Sequence, residues 1–251
     1  MRVLALDTTT RAGSVALLAD DDIVVERSGD ARRTHAERLP GDILALLDQV
    51  GLTPSDVDLF AIASGPGSFT GLRIGIATIQ GLAFVTGRRI VALSALEALA
   101  HAGSADLGAG AIVGAWMDAY RRDVFSALYR VNDAAAFTAA RLTELDPPSV
   151  ADPMATLRRW NDELRSAPAV FVGDGAVLYA EAIDGRGRII PPPPLAGAIA
   201  RLALDRARAG LTVDPAGVQP LYVRRPDAEV ARDQQARHHP MQRTEPRNSP
   251  K

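Results

Sequence analysis

The chain has 251 residues, 47% hydrophobic and 23% charged, and a formal net charge of −2. Those values fit a folded globular protein of one large or two small domains. The absence of Cys excludes disulfides, thiolate metal sites, iron–sulfur clusters and Cys nucleophiles, and a pI near 6.1 argues against a broadly basic nucleic-acid binder.

Lys251 is the only lysine among 28 basic residues. An Arg-rich, Ala-rich chain of this kind fits genome-wide codon bias. The N-terminal apolar run from Val3 to Leu6 is too short for a signal peptide and meets Asp7 at once. The longest apolar stretch, Ile74 to Val85, contains Gln80 and falls short of a spanning segment. A soluble, cytoplasmic protein with no membrane partner is expected.

Arg2 to Asp7, Ser14 to Leu18 and Ile23 to Arg27 read as three strands of an antiparallel meander. Thr34 and Glu37 form a capping-box pattern. The helix behind them carries Leu39, Ile43, Leu46, Leu47 and Val50 and stops at Gly51, with Pro40 marking a kink or late start. Asp58 to Ser64 is a continuous apolar strand, expected to be buried on both faces. A loop from Gly65 to Gly71 leads into a helix from about Thr70 to Val85, closed by Gly87. Arg89 to Leu93 is a strand, and Ser94 caps a helix through Ala100.

Ala102 to Ala111 is a Gly-rich linker, after which the pattern restarts. Strands are expected at Ile112–Met117, Val124–Arg130, Arg141–Glu144 and Ala169–Val172. Helices are expected at Pro153–Arg165, Val177–Ala182 and Leu195–Ala209, the last after the stiff Pro191–Pro194 connector. Two halves with a similar opening suggest a duplicated α/β fold. The predicted division is residues 1–101, 102–226 and a disordered polar tail at 227–251, in which His238-His239 is incidental.

Three segments could carry chemistry. Asp7 at a strand end, followed by Thr8, Thr9 and Thr10, either orients a phosphate or metal-bound water or only satisfies the hairpin backbone. The loop Gly65-Pro66-Gly67-Ser68-Phe69-Thr70-Gly71, followed by Arg73, sits where a helix start exposes amides to anions. It matches no Walker loop, dinucleotide fingerprint or nucleophile elbow, and the alternative is a tight turn capped by Ser68 or Thr70. The third segment is the helix itself. Leu72, Ile74, Ile76, Ile79, Leu82, Phe84 and Val85 surround its axis, so it must be buried all round. One face should pack on the sheet and the surplus on a partner; the alternative is a helix covered entirely by its own domain. Leu72, Gly75, Ile76, Ile79 and Leu82 are the interface candidates. The four histidines form no ligand pair, so no metal site and no catalytic residue is assigned.

MRVLALDTTT, THAERLP, SGPGSFTGLRIGIATIQGLA, VALSALEALA, MDAYRRDVFSALY, VGDGA and PLYVRRPDAE together resemble the TsaB (YeaZ) family of tRNA threonylcarbamoyladenosine biosynthesis proteins. The resemblance covers about residues 1–230 and implies the actin/hexokinase/heat-shock-ATPase (ASKHA) architecture of two ribonuclease-H-like halves. It implies a non-catalytic subunit that dimerises with the catalytic homologue TsaD and works with the ATPase TsaE. That complex transfers a threonylcarbamoyl group to a tRNA adenosine. It further implies a homodimer in the partners' absence, tRNA contact through the complex, no tightly bound cofactor, and ATP or ADP at the complex interface. The Asp7–Thr10 hairpin matches the place where catalytic relatives hold phosphate, and Gly173-Asp174-Gly175 only partly matches a nucleotide-gripping turn. An independent ATP-binding kinase or hydrolase of the same fold is the alternative, and a protease is disfavoured.

Overall fold

The computed structural model describes residues 1–224; the tail expected at 227–251 lies outside them. The first sheet comprises β1 (Arg2–Asp7), β2 (Ser14–Ala19), β3 (Asp22–Ser28), β4 (Leu59–Gly65) and β5 (Arg89–Ser94), in the order β3-β2-β1-β4-β5. β1 pairs antiparallel with β2 and parallel with β4. The second sheet holds β6 (Ile112–Asp118), β7 (Val124–Val131), β8 (Leu142–Ala151), β9 (Val170–Val172) and β10 (Arg188–Ile190). Its order, β8-β7-β6-β9-β10, repeats the first with the same parallel and antiparallel pairings. The duplication read in the sequence is thus a duplication of topology.

The alternation of β1 explains the layering. Leu4 and Leu6 face α1 (His35–Gln49) and α2 (Phe69–Thr86), meeting Leu39, Ile43, Leu46, Ile76 and Ile79. Val3 and Ala5 face the opposite way, with Ala16, Ala61 and Ala63. On that side lie α3 (Ala95–Gly103) and α7 (Ala196–Arg208), sandwiched between the two sheets. The outer face of the second sheet buries Trp116, Trp160 and Phe171 under α4 (Pro153–Arg158) and the short helices α5 (Asp174–Leu178) and α6 (Ala180–Ile183).

Several local expectations need adjusting. Pro40 neither delays nor ends α1, which starts at His35 under its Thr34 capping box. The helix expected at 153–165 ends at Arg158 and continues as a π-type turn over Arg159–Glu163. Asp174 already starts a helix where a turn was expected, and the three-residue strand β10 was not anticipated. α7 comes from the second half yet packs on β1, β2, β4 and β5, while α3 packs on β6, β7 and β9. Each half lends a helix to the other.

By length and composition, α2 could cross a membrane: it has 18 residues and a mean hydropathy of 1.3. One face instead packs on β4.

Candidate functional site

The Asp7 hairpin is built around one carboxylate. Asp7 is buried, and its Oδ1 accepts from the Thr9 amide (2.8 Å) and the Thr9 hydroxyl (2.6 Å). Thr10 Oγ1 donates to Oδ2 at 3.5 Å and accepts from the Gly13 amide. Burial pushes the Asp7 carboxyl above its ordinary range, against the pull of the Thr9 and Thr10 hydrogen bonds and of His35. Asp7 and Thr10 line a 360 Å³ cavity between the two lobes, and Asp174 faces the same space. Asp174 accepts from the Asp118 and Gly175 amides, and burial raises its carboxyl too.

The other two threonines have different jobs. Thr8 is fully buried, and its Oγ1 points at α2 without a hydrogen-bond partner. Thr9 is committed to Asp7. Of the four expected phosphate-binding residues, then, only Asp7 and Thr10 reach the cleft, because the hairpin must also dock on α2.

That docking accounts for the glycine loop. A Cβ at Gly71 would lie 2.2 Å from the Thr8 carbonyl oxygen, one at Gly75 2.2 Å from Thr8 Oγ1, and one at Gly67 2.6 Å from Thr9. The Ser68 amide donates to the Thr9 carbonyl (2.8 Å), and Ser68 Oγ caps α2 by accepting from the Gly71 amide (3.2 Å). These glycines let a helix start press against a strand end. Gly65 and Pro66 are buried, Gly65 against the Leu221 carbonyl, whereas Phe69 and Thr70 are exposed. Arg73 stacks over Phe69 at 4.0 Å and donates to Tyr222 Oη at 3.2 Å. Those aromatics border a 570 Å³ groove that also touches Tyr120 and Phe125.

α2 corrects the interface candidates. Leu72, Gly75, Ile76 and Ile79 are buried in their own chain, and Leu82 is half-buried. The opposite face is bare: Ala77 and Gly81 are exposed, with Phe84 80% and Val85 84% accessible. The surplus apolar face exists, but on other residues. The pattern in the sequence was apolar all round, so periodicity could not tell the two sides apart.

His35, left unassigned in the sequence, packs against the hairpin. Its Nε2–H donates to the Thr10 carbonyl (3.0 Å) and Nδ1 accepts from Arg38 (3.0 Å), which fixes the neutral tautomer. Desolvation lowers its pKa. His101 is buried in α3, away from that hairpin. Among the described residues no three His, Asp or Glu side chains are placed to hold a metal.

Two further residues close the lobes together. Ser14 Oγ accepts from the Leu195 (3.1 Å) and Ala196 (3.0 Å) amides, and Glu26 Oε1 from the Gly197 amide (2.7 Å). The first amides of α7 are thereby capped by strands of the other half. A contact spanning about 180 residues leaves no local signal, so sequence reasoning missed both.

Two ribonuclease-H-like halves around a cleft define a member of the actin/hexokinase/heat-shock-ATPase class. Residues 28–182 match the family profile described as TsaD, tRNA N6-adenosine threonylcarbamoyltransferase. The chain is 28% identical to the Bacillus subtilis tRNA threonylcarbamoyladenosine biosynthesis protein TsaB, covering 92% of this chain and 97% of that one. It is 33% identical to an uncharacterized Mycobacterium tuberculosis protein, covering 90% and 93%. Solved YeaZ from Pseudomonas aeruginosa superimposes with a TM-score of 0.73 at 31% identity, covering 88% and 99%. The chain belongs to the TsaB (YeaZ) family.

Proposed function

We propose that this chain is a non-catalytic, activating subunit in tRNA threonylcarbamoyladenosine biosynthesis, acting in the cytoplasm. It works by pairing with the catalytic homologue TsaD through the bare face of α2, alongside the ATPase TsaE. The observation that carries the reading is that face. Phe84 and Val85 stand almost fully in solvent, while small Ala77 and Gly81 beside them permit close helix approach. In the absence of TsaD the same face supports a homodimer. tRNA is met through the complex, and ATP or ADP binds at the complex interface.

The cleft supports the non-catalytic part. Thr8 and Thr9 serve the fold, the start of α7 is capped by Ser14 and Glu26, and both nitrogens of His35 are engaged. Mixing the pure chain with tRNA, ATP and pre-formed threonylcarbamoyl adenylate should yield no modified adenosine until the catalytic homologue and the ATPase are added. Turnover by the chain alone would overturn the reading. For the interface, Ala77→Arg and Phe84→Glu should abolish co-elution with the partner on gel filtration without changing the circular dichroism spectrum. Unchanged co-elution of both variants would remove α2 from the contact.

A second reading, an independent ATP-binding kinase or hydrolase, is favoured by Asp7 and Asp174 sharing the inter-lobe cavity. Calorimetry with Mg·ATP decides it: micromolar binding that disappears in Asp7→Asn would establish a nucleotide site in this chain.

A further inference from the structure

Several arginines are held in internal ion pairs: Arg38 with Asp42, Arg89 with Asp214, Arg159 with Asp146, Arg206 with Glu97, Arg208 with Asp21 and Arg224 with Asp123. Arg11, Arg32 and Arg33 are different. All three are exposed, none forms an ion pair among the described residues, and all line one 210 Å³ hollow beside the starts of α1 and α2. Arg11 Nε donates to the Ala31 carbonyl and Arg33 to the Glu37 carbonyl, so backbone orients both guanidiniums, and the Glu37 carboxylate is the acidic group that acts on Arg33. Tyr120 borders the same hollow, 61% exposed, on a turn where Tyr120, Arg121 and Arg122 all adopt positive φ. Asp118 Oδ1 holds the Tyr120 amide at 2.8 Å.

We propose that Arg11, Arg32, Arg33 and Tyr120 form an RNA-contacting surface, in which the guanidiniums take backbone phosphates and the Tyr120 ring stacks on an unpaired base. Exposed guanidiniums clustered beside an exposed aromatic are the elements of single-strand recognition. The hollow is small and open, and a mononucleotide site would instead bury most of its ligand. The surface is local, which reconciles it with an acidic chain overall. The proposal rests on the tRNA-modification reading above and assigns this subunit a direct share in holding the substrate.

The test is fluorescence anisotropy of the full chain with a labelled tRNA transcript, titrated at several salt concentrations. Affinity should fall with salt, and each of Arg11→Ala, Arg32→Ala and Arg33→Ala should flatten the log–log slope by about 0.7–0.9. The triple variant should lose at least tenfold in affinity. Tyr120→Ala should lose at least fivefold and Tyr120→Phe should retain binding, while Arg89→Ala, whose partner lies on another face, should bind as the parent does. The proposal is wrong if the parent chain binds no tRNA in a salt-dependent way, if the triple variant binds unchanged, or if millimolar ATP displaces the RNA completely, which would make the hollow a nucleotide site. The functional reading is read separately, from threonylcarbamoyladenosine formed by the reconstituted complex. A parent chain that supports modification without binding RNA sinks only this proposal. One that supports no modification with both partners present sinks the functional reading.

Discussion

Gly75 offers a sharp check on how the hairpin and α2 fit together. An added Cβ there would lie 2.2 Å from Thr8 Oγ1, 2.9 Å from its Cγ2 and 3.1 Å from its Cβ. In a helix interior Ala is favoured over Gly by about 1 kcal/mol, whereas overpacking a filled site costs about 1–3 kcal/mol. Thr8 is fully buried at the end of β1, so it has little room to yield. Gly75→Ala should therefore destabilise by about 1 kcal/mol net. Thr8→Ala removes the two nearest obstructing atoms and should cost about 1–2 kcal/mol by itself as a small cavity opens. The loss is held down because Thr8 Oγ1 has no hydrogen-bond partner to forfeit. In the double variant the new methyl occupies the vacated space, needing only a few tenths of an ångström of movement at the Thr8 Cβ. The pair should then show a favourable coupling of about 1–2 kcal/mol. Urea denaturation of the four proteins, fitted with a common m-value, measures it. If Gly75→Ala stabilises by the same ~1 kcal/mol whether residue 8 is Thr or Ala, the close approach of helix and hairpin is wrong.

Other outcomes follow from the same packing. Ile79→Glu should cost more than about 3 kcal/mol, seen as a lost or early thermal transition, since it places an unpaired charge under the first sheet. Ser14→Ala should cost about 1–3 kcal/mol in denaturant titration, because the buried Leu195 and Ala196 amides lose their acceptor. His101 has its pKa lowered to about 4 by burial and by Arg206 and Arg141, below an unfolded value of 6.5. Its contribution is fully present above pH 6.5 and lost as pH falls towards 4, about 3 kcal/mol in all. A pH series of melts on the parent chain and His101→Gln should show the slope between those values flattened in the variant. Asp7 has the opposite sign: its pKa is raised, so its ionised form costs stability as pH rises through the folded value. Asp7→Asn keeps an oxygen for Thr9 and should raise the melting midpoint at neutral pH by ~2–4 °C, the equivalent of about 1 kcal/mol in a chain this size.

Much of the fold was legible because the local signals agree. The capping box at Thr34, the apolar run of β4, Gly87 ending α2 and Ser94 capping α3 all name their elements from neighbours a few residues away. The repeated strand–turn–strand opening exposed the duplication. What stayed hidden depends on distant partners. Nothing near Ser14 or Glu26 announces that they cap α7, and nothing in Thr8 says that its hydroxyl meets Gly75 rather than a ligand. The glycine loop looked like an anion cradle because glycine serves close approach of any kind, to a phosphate or to a neighbouring strand. On α2 the composition revealed a surplus of apolar surface, but only packing on β4 chose which side is spent internally.

The exchanged helices have a consequence for how this polypeptide comes into being. As the chain leaves the ribosome, β1 to β5 are complete at Ser94, yet the alanine-lined side of their sheet is roofed by α7, which ends at Arg208. The N-terminal half must wait through more than a hundred further residues with that surface uncovered. Neither half, severed between α3 and β6, can be expected to stand as an autonomous unit, and the two must mature together.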